Sequence, residues 1–235
     1  CTMVGKAHIE HFGDIDKIAE AKSEIYEASG PEVVRIFNLD NPWTKKMFNF
    51  AQILVSQGAL SAKNIFTFSS IDTSAHVCFK IQKLSMSQMT IAGQIQGVPG
   101  SATVNVFGTQ NLTNLLAAAT LALTAGLTPE QIWHGLSFCK TNWGRNQLVN
   151  LKSGAQMIFD AYNANPDSMK ALIENIPLLS KNSRKIGIFG EMLEMGPQSP
   201  ELHKDLGLWV GQAGFDKVYF VGEQTAAFQQ GLEQA

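Results

Sequence analysis

Hydrophobic positions along the chain recur with two periods. Glu32–Leu39 gathers Val33, Val34, Ile36 and Phe37 into a short β-branched run, which predicts a buried strand. Asp40-Asn41-Pro42 ends it, and Trp43–Val55 then shows helical spacing. Asn64–Phe68 predicts a second short strand. Across residues 76–107 apolar positions alternate, with Val77, Phe79 and Ile81 on one face and Met89 and Ile91 further on, as in antiparallel hairpins. Asn111–Gly126 is an alanine- and leucine-rich helix closed by a glycine, and Thr128-Pro129-Glu130-Gln131 has the form of a capping box opening the next helix. Leu148–Leu151 and Gln156–Phe159 bracket Ser153-Gly154 as a hairpin. From there strands (Lys185–Phe189, Lys217–Val221) alternate with helices starting near Ser168, Ser199 and Gln224, the pattern of a doubly wound α/β unit. A break near Trp143-Gly144-Arg145 predicts two domains, residues 1–145 and 146–235.

Composition narrows the class. With 45% hydrophobic and 16% charged residues among 235, the chain can bury a substantial core. A net charge of −2 argues against a general binder of nucleic acid or anionic membrane. No apolar run reaches the roughly 18 residues of a membrane helix. The three cysteines, Cys1, Cys78 and Cys139, are widely spaced and form no metal-like pair, which suits reduced thiols in a cytoplasmic protein. The first residue is Cys1, and both ends look premature, so the chain reads as an internal piece of something longer.

The densest chemistry lies in Asp160-Ala161-Tyr162-Asn163-Ala164-Asn165-Pro166-Asp167-Ser168-Met169. It follows the apolar Met157-Ile158-Phe159 and precedes an amphipathic stretch, which places it at the carboxyl end of a strand, where open α/β sheets bind ligands. Within it, residues 160–165 carry one carboxylate, one phenol and two amides, which suit a polar ligand with hydroxyls and a ring. A plainer account, capping of a helix by Asp167, covers Asp167 but not Asp160 to Asn165.

This decapeptide closely resembles the Asp-(Ser/Ala)-Tyr-Asn-Ala-Asn-Pro-Asp-Ser-Met segment of the ATP-dependent Mur ligases of peptidoglycan synthesis. Other stretches agree in order: Ala7-His8-Ile9-Glu10-His11-Phe12-Gly13, Ala19-Glu20-Ala21-Lys22-Ser23-Glu24-Ile25, Asn111-Leu112-Thr113-Asn114, Gly144-Arg145, and Gly190-Glu191-Met192-Leu193-Glu194-Met195-Gly196 with His203. The fold implied is part of a central ATPase-type mixed-sheet domain followed by an incomplete Rossmann-like domain.

The resemblance also implies roles. His8 and a carbamylated Lys22 would bind magnesium, with Glu10 and Glu24 near metal-bound water. Carbamylation needs a neutral amine, and the product is an oxygen ligand that suits magnesium. Asn111 would sit against adenine, sharing a helix face with Asn114. Arg145 would reach the γ-phosphate, a role for which a planar guanidinium is suited. Asp160 would hold the ribose or its surroundings, and Tyr162, Asn163 and Asn165 would line the nucleotide and acceptor side. Gln110, Trp143 and Glu191 depart from the residues common in the family, namely histidine, proline and aspartate. His203, on a helix, is open to a role or to plain surface exposure.

The activity implied is ATP-driven joining of D-alanyl-D-alanine to a UDP-linked muramoyl tripeptide through an acyl phosphate, by a monomer. No Gly-x-x-x-x-Gly-Lys-(Ser/Thr) loop occurs in these residues, so the chain alone is expected to be inactive. Two alternatives stand beside this reading. One is a different amide ligase of the superfamily, either the Mur ligase that adds the third peptide residue or one of the folylpolyglutamate type. The other is a non-catalytic remnant that binds a nucleotide or a partner.

Overall fold

The computed structural model describes residues 1–6, 9–179 and 183–235. They form two compact units: residues 1–4 with 16–140, and residues 5–15 with 141–235.

The first unit is built on a five-stranded mixed sheet in the order β1 (Arg35–Asn38), β2 (Ile65–Ser69), β3 (Val77–Leu84), β4 (Met89–Ile95), β5 (Val98–Val104). β1, β2 and β3 run parallel, and β3, β4 and β5 form the antiparallel meander expected from the alternating pattern. The β4–β5 connection uses Gln96 and Gly97 at positive φ (48° and 78°), the backbone a two-residue hairpin turn requires.

Four helices flank the sheet: α2 (Ile15–Glu27), α3 (Pro42–Ser56), α4 (Asn111–Thr124) and α5 (Pro129–Leu136). Helix α3 is capped by Asn41 with Pro42 at its first turn, and α5 carries the full Thr128–Gln131 capping box. Phe68, Val77, Phe79, Met89, Ile91, Val104, Leu116 and Trp133 form the core between the sheet and α4–α5. Gly93 on β4 leaves room for the facing Phe79 of β3, and Gly100 on β5 lets the Trp133 indole approach the sheet; a Cβ at either would collide. These two rings lie 5.5 Å apart.

In the second unit, α1 (Ile9–Phe12) precedes a hairpin of β6 (Gln147–Asn150) and β7 (Gln156–Phe159). Helix α6 (Pro166–Ile173), β8 (Ile186–Gly190), α7 (Ser199–Gln212), β9 (Lys217–Val221) and α8 (Thr225–Leu232) follow. β8 and β9 pair in parallel, whereas β7 pairs with β6 and not with β8 among the described residues. Phe189, Leu206, Val210 and Phe228 pack the α7–α8 side of this sheet, and Phe220 stacks on Phe228. Helices α7 and α8 touch backbone to backbone at Gly207 and Gly231.

One capping assignment changes. Helix α6 begins at Pro166, and its cap is Asn165, not Asp167: the Asn165 Oδ1 accepts from Ser168 N (2.9 Å) and the Ser168 hydroxyl engages Asn165 N (3.1 Å). Proline suits the first helical position, which moves the cap two residues upstream of the expected one.

Candidate functional site

The decapeptide starts where β7 ends and runs into α6. Its first residue, Asp160, is half-buried and faces the turn Gly144-Arg145-Asn146 that leads into β6. Asn146 N donates to Asp160 Oδ1 (3.0 Å), and Asn146 Nδ2 lies 3.4 Å from Asp160 Oδ2. Tyr162 N donates to the Gly144 carbonyl (3.2 Å), a close approach made possible by Gly144 at φ 67°, where a Cβ would press on Tyr162. The Arg145 guanidinium sits 4.2 Å from the centre of the Tyr162 ring. Both side chains remain largely exposed, so a cation and a phenol are presented to solvent as a stacked pair beside a carboxylate. Burial pushes the Asp160 carboxyl above the usual carboxylate range, while the Asn146 N–H and the Arg145 charge pull it back toward the ionised form.

Trp143, just before the turn, meets Phe159 edge to face at 5.3 Å. This aromatic pair holds the turn against the end of β7, so the unusual tryptophan has a packing role there.

The remaining site residues are distributed as follows. Asn163 is exposed on the loop. Asn165 is occupied by its cap. Asp167 accepts from Lys6 N (2.9 Å), which ties the loop to the segment before α1. Glu10, on α1, donates its N–H to the Glu194 carbonyl (3.2 Å) and lies against Gly196. Asn111 opens α4; its Nδ2 donates to the Phe107 carbonyl (2.7 Å) and its Oδ1 lies 3.4 Å from Asn114 Nδ2. This amide pair belongs to the first unit, as do Lys22 and Glu24; Arg145, Asp160 and Tyr162 belong to the second.

His8 lies outside the described residues. Lys22 is exposed on α2, and its Nζ donates to the Met3 carbonyl (3.1 Å). A protonated amine has donors only, so Lys22 in this form is no metal ligand. Among the described residues no group of three His, Cys, Asp or Glu side chains converges to hold a metal.

Two residues near the Gly190–Gly196 loop turn out to be structural. His203 is fully buried and not on the surface: its Nε2 accepts from Met192 N (2.9 Å) and its Nδ1 meets the Ser199 carbonyl (2.7 Å). Glu191 Oε2 accepts from Glu223 N (2.7 Å), locking the loop after β8 to the loop after β9. The sequence reading missed Asn146, whose signal was present: an amide beside Arg145, in a hairpin that had to return to Asp160.

A mixed-sheet unit followed by a β8–α7–β9–α8 unit, with an arginine–tyrosine–aspartate cluster at the entry to the second, defines an α/β protein of the Mur ligase kind. The sequence pattern of the Mur ligase middle domain matches residues 1–122, and that of the Mur ligase glutamate ligase domain matches residues 144–235. The chain belongs to the Mur ligase family. It is 30% identical over 230 residues to the UDP-N-acetylmuramoyl-tripeptide–D-alanyl-D-alanine ligase of Bacillus subtilis, covering 98% of this chain and 47% of that protein. The Escherichia coli enzyme of the same name is 30% identical over 224 residues, covering 94% and 46%. Among solved structures, MurF from Acinetobacter baumannii superimposes with a TM-score of 0.83 at 26% identity over 98% of this chain and 48% of that one. The chain thus spans about half the length of the curated relatives it matches. No described helix is long and apolar enough to cross a membrane.

Proposed function

We propose that this chain is the nucleotide-handling portion of a cytoplasmic, monomeric ligase that joins D-alanyl-D-alanine to UDP-N-acetylmuramoyl-tripeptide at the expense of ATP. Residues 1–145 would be the later part of its central domain and residues 146–235 its carboxyl-terminal domain. The observation that supports this most is the cluster of Asp160, Arg145 and Tyr162: a carboxylate to hold hydroxyls, a guanidinium for phosphate, and a ring, all fixed by one hairpin. In the reaction, the tripeptide carboxylate attacks the γ-phosphorus of ATP and ADP leaves. The dipeptide amine then attacks the acyl phosphate, releasing inorganic phosphate and forming the amide. Arg145 would neutralise charge on the moving phosphoryl group, a contribution that grows toward the transition state. Asp160 would hold the ribose throughout. By resemblance magnesium would need Lys22 as a carbamate together with His8, and the unmodified lysine, which donates to the Met3 carbonyl, does not supply that site.

The test is phosphate release by the intact protein, which should require ATP, tripeptide precursor and dipeptide together. Arg145→Ala should act chiefly on turnover and Asp160→Ala chiefly on the KM for ATP. These 235 residues alone should show no turnover approaching the usual ~1 per second or more. ATP hydrolysis by the intact protein that ignores the dipeptide would overturn the reading.

A further inference from the structure

Asn146 is more than nine-tenths buried, at 8% exposure, and its Oδ1 is a buried acceptor with no hydrogen-bond partner. The amide cannot simply be turned round, because that would set its oxygen against the Asp160 carboxylate and lose the donor now facing Oδ2. Asp160 thus dictates which way the amide points. Each carboxylate oxygen receives one donor from Asn146, and a carboxylate has about four acceptor sites, so both oxygens retain capacity. The backbone is also committed: Asn146 has φ 49°, in the left-handed region that asparagine tolerates better than most residues. Buried acceptors are normally satisfied, and an orphan beside a ligand-facing carboxylate points to a donor that arrives with the ligand.

We propose that Asn146 is a positioning residue that grips both oxygens of Asp160 and presents its own Oδ1 as a second acceptor, so that the pair receives the vicinal hydroxyls of a ribose. This rests on the reading that Asp160 faces a nucleotide sugar. A diol offers two donors at fixed spacing, and the pair offers a carboxylate and an amide carbonyl held in register by two hydrogen bonds. A magnesium ion or an amine would also seek acceptors, but the Arg145 cation alongside disfavours a second positive charge.

Calorimetric titration of the intact protein with ADP and with 2′,3′-dideoxy-ADP tests this. The wild-type protein should prefer ADP by about tenfold or more, the scale of a lost hydrogen bond to a charged group. Asn146→Gly keeps the backbone N–H and the positive φ and deletes only the amide. It should weaken ADP about tenfold and leave the dideoxy analogue unchanged, so that the preference shrinks about tenfold to what Asp160 alone supports. Asn146→Asp keeps the shape but sets a second carboxylate against Asp160; it should cut the preference too, and it decides the question if the glycine variant does not fold. Equal weakening of both nucleotides, or an undiminished preference in either folded variant, overturns the inference. If Asp160→Ala keeps the full preference, the failure lies in the reading of Asp160 itself.

Discussion

His203 offers the most direct check on how the second unit holds its loops. The ring is fully buried on α7, accepts the Met192 N–H at 2.9 Å and meets the Ser199 carbonyl at 2.7 Å. Its edge also faces Phe220, with centroids 5.9 Å apart. Truncation to alanine strands the buried Met192 N–H, which costs about 1–3 kcal/mol. It also opens a void between α7 and the β8 loop, and core truncations of large side chains cost about 2–5 kcal/mol. The two losses share a site and do not add fully, so about 3–5 kcal/mol is expected. Against a typical domain stability of about 5–15 kcal/mol, that is enough to leave the unit marginal. His203→Phe separates the terms: it refills the volume but still abandons Met192 N–H, so it should cost only about 1–3 kcal/mol. Urea unfolding followed through Trp209, on the same helix, gives both values by linear extrapolation. Hydrogen exchange at the Met192 amide should accelerate in both variants. A loss below about 1 kcal/mol for His203→Ala, or unchanged exchange at Met192, would refute the latch.

Three further outcomes are expected. Burial holds the His76 imidazole below its ordinary value, and Thr67 N donates to its Nδ1 at 3.2 Å, so the folded protein keeps it neutral. The unfolded chain then binds the extra proton, and stability present above about pH 6.5 should be lost as pH falls toward the depressed folded value; thermal melts from pH 7.5 to 5 should fall more steeply for wild type than for His76→Gln. Gly231→Ala should destabilise the α7–α8 pair in calorimetry: its Cβ would overlap the Lys204 carbonyl, an overpacking cost of about 1–3 kcal/mol or more that exceeds the ~1 kcal/mol gain in helix propensity. In the intact protein Lys22→Ala should abolish ligase turnover while Lys17→Ala retains most of it, and bicarbonate should not rescue the former because no amine remains; equal rates would remove Lys22 from the site.

Local chemistry was legible at several places where a side chain meets its own backbone, though the cap of α6 fell on Asn165 and not on Asp167. The Thr128–Gln131 box and the alternation that became β3–β5 depend on neighbours within a few residues, and each appears close to its expected place. Long-range choices were not legible. The apolar strands β8 and β9 predict a sheet covered on both faces. Phe189 is indeed buried, yet Ile188 and Val221 stand 75% and 68% exposed on the other face among the described residues. The β6–β7 hairpin formed as its pattern predicts, but sequence could not say that β7 would pair with β6 and not also with β8 among the described residues, because a mostly apolar tetrad such as Gln156–Phe159 suits either partner. The same limit governs the site. Asp160 and Arg145 stood out by residue type, but His203 and Glu191, equally polar and equally placed in a matched motif, are held by Met192 N and Glu223 N. What separates the two groups is whether their polar atoms are used up inside the protein. Asn146 falls on the unspent side: its donors are committed and its acceptor is not, which makes it the residue from which ligand contact can be read with least appeal to resemblance.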